Sequence, residues 1–224
     1  DPNSPALATS NYETRHRFPF SVSWRKAFWG DYETRAALFV ERRSGRPFSL
    51  TYGPATTVFG DPAQAAERAQ LLFIPTNTSE VDFGSTTTGG VSRTLTAAQF
   101  DEFVAANDLG KYRGGFVPRN ALRSPWVTTA DLRLQQEIPG LFKDARGVLS
   151  LDIENVANLV NNDWGRLAQV SFPHFAQALD ATIQPNGRYL YRPLAGVSGT
   201  NAPFYSISAL PSVWRVQLGV RYEF

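Results

Sequence analysis

The chain has 224 residues, of which 42% are hydrophobic, 13% aromatic and 19% charged, and its formal charge is only +2. That near-balance holds no basic tract of the kind nucleic-acid binders carry, and the lack of cysteine removes disulfides and thiolate metal sites. No apolar run approaches the ~20 residues that a membrane helix needs, the longest resembling Ala36–Val40, so a membrane could be crossed only by strands.

The chain opens Asp1-Pro2-Asn3 with no apolar leader, and it contains no methionine, so it is expected to be cut from a longer polypeptide. After a Pro/Asn/Ser-rich start, period-two alternation begins at about residue 14 and runs to 28. Phe18, Phe20, Val22 and Trp24 share one face; Arg17, Ser21, Ser23 and Arg25 share the other. Trp29-Gly30-Asp31 is a hairpin turn signal, because glycine adopts positive φ freely and aspartate bonds its own backbone. A second strand follows at about 32–52, with Arg35 and Glu41 on its polar face and Pro47 marking a bulge or an exit from the sheet.

Residues 53–123 read as a long structured loop holding two helix starts. Asp61-Pro-Ala-Gln64 precedes a helix to Leu72, and Thr96-Ala-Ala-Gln99 forms a capping box ahead of Phe100, Phe103 and Val104 on one helical face. Gly84–Gly90 reads as turn and loop. Alternation resumes at about 124–138, with Trp126, Leu132 and Leu134 opposite Asp131, Arg133 and Glu137. After a Pro139-Gly140 reversal a fourth strand spans about 147–158, with Leu149, Leu151 and Ile153 opposite Asp152 and Glu154. A second long loop, about 159–211, carries a predicted hairpin of 176–183 with 188–191 around Pro185-Asn-Gly187.

The last strand, about 212–224, alternates without error. Trp214, Val216, Leu218, Val220, Tyr222 and Phe224 fall on one face, and Arg215, Gln217, Gly219, Arg221 and Glu223 on the other. A half-buried strand of a soluble sandwich shows the same alternation; aromatics at both ends of an apolar face, with charge behind it, are the layout expected of a lipid-facing strand over a wet lumen. The connections also alternate: turn, long loop, turn, long loop. In an antiparallel sheet both turns then lie on one side and both loops on the other, as in outer-membrane barrels.

Three segments, Arg123–Pro139, Leu151–Gly165 and Trp214–Phe224, resemble in order the closing strands of TonB-dependent outer-membrane receptors, the Oar-like subgroup in particular. Asn155–Asn162 is similar to the family's Asn-Leu-Phe-Asn segment, with Leu159-Val160 in place of Leu-Phe; Arg15-His-Arg-Phe18 and Arg43–Phe48 also fit. The resemblance implies an all-β fold, namely an antiparallel transmembrane β-barrel segment of about five strands from a 22-stranded barrel. It also implies residence in the bacterial outer membrane, with lipid as a partner and Phe224 read by the barrel-assembly machinery. Coupling to the TonB complex would run only through an N-terminal part that this chain lacks.

The expected girdle and assembly residues are Trp24, Trp126, Trp214, Tyr222 and Phe224, membrane anchors in preference to ligand platforms. The expected lumen charges are Arg25, Arg35, Asp131, Arg133, Asp152, Glu154, Arg215 and Arg221, arranged as cross-strand pairs. His16 and His174 are read as surface or lumen histidines. No catalytic, metal or cofactor residues are expected, since no nucleophile motif or phosphate loop occurs. Energy-coupled uptake of a large or scarce ligand, a metal chelate or an oligosaccharide, is the leading expectation; Oar-like adhesion or export, or a soluble β-sandwich carbohydrate-binding module, are the alternatives.

Overall fold

The computed structural model describes residues 7–53, 70–142, 145–194 and 204–224. The longer elements are β1 (Arg17–Trp29), β2 (Tyr32–Arg43), β3 (Pro47–Tyr52), α1 (Ala97–Ala106), β4 (Val127–Pro139), β5 (Arg146–Glu154), α2 (Val156–Val160), β6 (Phe175–Ile183), β7 (Tyr189–Pro193) and β8 (Arg215–Glu223). They fall into two compact units, one of residues 14–45, 125–169 and 207–224, the other of residues up to 13, 46–124 and 170–206.

The first unit is a five-stranded antiparallel sheet in the order β1-β2-β4-β5-β8, so each long strand pairs with its sequence neighbour in the sheet. Gly30, at φ +57°, makes the β1–β2 turn that the Gly-Asp pair calls for. Gly140 N–H donates to the Ala145 carbonyl at 3.0 Å in the β4–β5 turn. The sheet is open: β1 and β8 are edges, and no barrel closes among the described residues.

Two expected strand bounds change. The second strand stops at Arg43, because Ser44 turns back to bond the His16 backbone, N to O at 2.9 Å and Oγ from N at 3.1 Å. The fourth stops at Glu154, where Asn155 takes a left-handed φ of +52° and α2 begins. This turn is held by polar side chains that are themselves buried. Asn155 N–H donates to Asp131 Oδ1 at 2.8 Å, Asn155 Nδ2 to the Gly165 carbonyl at 3.0 Å, and Asn158 Nδ2 to the Asn162 and Trp164 carbonyls at 3.0 and 2.8 Å. A Cβ on Gly165 would lie 1.9 Å from Asn155 Oδ1, so glycine is required there on space as well as on φ.

The second unit gathers both long excursions around one core. β3, the expected tail of the second strand, belongs here and is buried along its whole length. It pairs in parallel with β6, Phe175 opposite Ser49, while β6 pairs antiparallel with β7. Phe48, Leu50, Leu72, Ile74, Phe100 and Tyr191 are among the side chains of its core.

α1 starts on the expected capping box, with Thr96 Oγ1 accepting from Gln99 N and Gln99 Oε1 from Thr96 N at 3.2 and 3.0 Å. Its Phe100, Phe103 and Val104 are buried. The Pro185–Gly187 hairpin also forms as expected. Gly84–Gly90 is more regular than loop chemistry suggested, since Ser85–Thr88 and Val91–Thr94 pair as a hairpin. The first expected helix lies outside the described residues up to 69. Its expected end is extended, Leu71 bridging Thr51 and Leu72 N–H donating to the Leu50 carbonyl at 3.0 Å.

Candidate functional site

Directly opposed residues of an antiparallel pair share a face, so the register assigns each side chain of the sheet. Val22, Leu38, Leu132, Ile153 and Val216 form one row across all five strands; Trp24, Ala36, Leu134, Leu151 and Leu218 form the next. The face is uncovered, Leu218 being 78% and Val220 80% exposed. A continuous exposed apolar surface across five strands is the kind of patch that marks a protein- or membrane-interaction site.

Aromatic side chains concentrate at the ends of this face. Where the long excursions leave the sheet, His16, Trp126 and Phe18 stack, His16–Trp126 at 6.0 Å and Phe18–Trp126 at 6.3 Å between centroids. Trp214 immediately precedes β8 and is 43% exposed. Toward the short turns, Trp24 packs on Phe28 at 5.6 Å and Tyr222 on Phe224 at 6.4 Å, and Tyr222 Oη accepts from Leu141 N–H at 3.0 Å. Trp24 itself stands in the row of Leu134 and Leu218, inside the face rather than at its end.

The opposite face carries the charge, and mostly as pairs. Arg133 bonds Asp152 across β4 and β5 at 2.7 Å, and Arg215 bonds Glu154 across β5 and β8 at 2.7 Å. Arg221 pairs along its own strand with Glu223 at 2.5 Å, and Asp131 accepts the Asn155 N–H described above. Arg25 stands directly opposite Arg35. Near the short turns Glu137 is a hub that accepts from Arg35 at 2.8 Å, Arg146 at 3.1 Å and Glu33 N–H at 3.1 Å. Arg146 escaped the sequence reading, which put it in the reversal before the fourth strand, whereas it is the first residue of β5, paired with Pro139 and Glu223. The geometry supplies a charged surface held together by its own ion pairs, with the carboxylates already occupied.

In the second unit His174 corrects the expectation of a surface or lumen histidine. It is 5% exposed, its Nδ1 within 2.9 Å of the Val170 carbonyl and its Nε2 3.5 Å from Arg46 Nη1. In the core of this unit, Tyr191 Oη donates to the Phe73 carbonyl at 3.0 Å, which leaves Tyr52 as donor in the 2.8 Å bond between the two phenols. Phe73 N–H in turn donates to Tyr52 Oη at 3.3 Å. Burial pushes both phenols up, Tyr191 the further. Among the described residues no three metal-ligating side chains gather.

Comparison with family models, curated proteins and solved structures finds no match to this chain. The structure defines a class: an all-β chain in which five long strands make one open antiparallel sheet with an exposed apolar face and an ion-paired face. To this is joined a second unit with a core of its own.

Proposed function

We propose that this chain is the C-terminal barrel part of an outer-membrane receptor of the TonB-dependent type, which takes up a large or scarce ligand such as a metal chelate or an oligosaccharide. The uncovered apolar face across all five strands carries this reading. Its strands are 9 to 13 residues long, and about 9–11 residues, tilted, span a bilayer. Lipid would cover the apolar face, and water in a lumen would bathe the Arg133–Asp152 and Arg215–Glu154 pairs. The two free edges would be closed by strands outside this sequence. The second unit, built from the two long excursions, would supply surface for ligand capture. On this reading the chain has no catalytic role.

Insertion is tested by placing the protein in vesicles whose acyl chains carry bromine. Trp24, Trp126 and Trp214 fluorescence should be quenched, and a protein that stays soluble and unquenched without detergent would sink the membrane reading in favour of a soluble binding module. Growth of a deletion strain on scarce ligands then separates uptake from Oar-like adhesion or export: uptake requires a ligand-specific growth defect.

A further inference from the structure

The two faces of the sheet differ in the partners of their charges as well as in polarity. Glu33, Glu41, Asp131, Glu137, Asp152, Glu154 and Glu223, the carboxylates of the five sheet strands, all lie on the ion-paired face by register. The apolar face holds two cations, Arg42 in the row of Phe18 and Thr128, and Lys26 in the row of Thr34 and Gln136. Both are exposed, and neither is in an ion pair among the described residues. Each instead lies over an aromatic ring, Arg42 over Trp126 at 5.5 Å and Lys26 over Phe28 at 5.3 Å. An anion for either cation has to come from outside the sheet.

Their spacing says what kind of anion. Phe18 and Lys26, which mark the two rows on β1, are eight positions apart, so the rows are separated by about 26 Å along the strand. A tilt of about 40° reduces that to about 20 Å along the membrane normal, slightly inside an apolar band about 25 Å tall. Arginine and lysine side chains are long enough to carry their charges outward over that remaining distance.

We propose that Arg42 and Lys26 are anchors for the phosphates of membrane lipids, one at each face of the bilayer, and that the rings beneath them hold the cations at head-group depth. This rests on the membrane reading above. Together the two anchors fix the depth of the sheet in the bilayer, which an aliphatic face alone leaves free to slide. The neighbouring Thr34 and Gln136 bond one another and widen the polar row around Lys26.

The test is retention of phospholipid by the protein transferred from phosphatidylglycerol vesicles to a phosphate-free maltoside micelle, counted by native mass spectrometry. Each of Arg42→Gln and Lys26→Gln should weaken retention about five-fold, the scale expected for one cation near an anionic membrane surface. Arg133→Gln, on the opposite face, should leave it unchanged. Added inorganic phosphate should not substitute for the lipid; if it binds as tightly, the site is a phosphate site and the lipid assignment is overturned. Unchanged retention in both variants, from protein that still inserts and is quenched by brominated chains, overturns the anchors while leaving the membrane reading intact. Failure of the unaltered protein to insert removes both.

Discussion

At the scale of single residues, the Tyr52–Tyr191 pair shows how a polar contact can be sealed inside an apolar core. Three bonds tie the phenols to each other and to both backbone groups of Phe73. Burial disfavours the phenolate, so both folded-state pKa values lie above that of an unfolded tyrosine, about 10. The stability this contributes is fully present below pH ~10 and is lost as pH rises through the raised values. In an alkaline titration followed by phenolate absorbance, two of the eight tyrosines should stay protonated until the unit unfolds. Tyr52→Phe leaves Phe73 N–H without its acceptor and should cost about 1–3 kcal/mol, measured by urea unfolding of the second unit. Gly165→Ala forces a Cβ into Asn155 Oδ1 at a φ of +65°; exchange-protection loss around α2 is the expected sign, and unchanged protection would contradict the role given to that glycine.

Elements were legible in the sequence where the solvent on each side decides the residue pattern. β8 was readable because apolar and polar side chains alternate along it without error, and the same alternation placed β1, β4 and β5. α1 was readable because a capping box is a local chemical event, complete within four residues; Thr96→Ala should cost that helix about 1 kcal/mol, visible as faster amide exchange across Ala97–Ala106. β3 was not readable. Pro47–Tyr52 alternates well enough to prolong β2, and its partner strand begins at Phe175, far along the chain, so no local pattern could assign it to another unit. His174 misled for a similar reason, since the groups around it come from residues remote in sequence such as Arg46.

At the scale of the whole molecule, two units with different cores should respond to different solvents. On the membrane reading proposed above, urea should unfold the protein in vesicles in two steps. Tyr52→Phe should shift only the step belonging to the second unit. Leu218→Arg, which puts a charge in the middle of the apolar face, should shift only the sheet's step, by about 2–4 kcal/mol. A single transition moved equally by both changes would show that the units do not unfold independently. Of the candidate site, the charged and apolar faces followed from alternation alone. The Glu137 hub needed the register of β4 against its neighbours, and a shared core for the two excursions could not be seen in either one.

The parallel pairing of Ser49 with Phe175 sets an order of events in time. A ribosome has to deliver the whole chain from Leu50 to His174, including all of β4 and β5, before these two partners can meet. Such distant partners meet slowly. Through that interval the edge of β3 that receives β6 is open, although Leu72 N–H can already reach the Leu50 carbonyl, so a chaperone that shields residues 47–52 during folding should raise the yield of the finished protein.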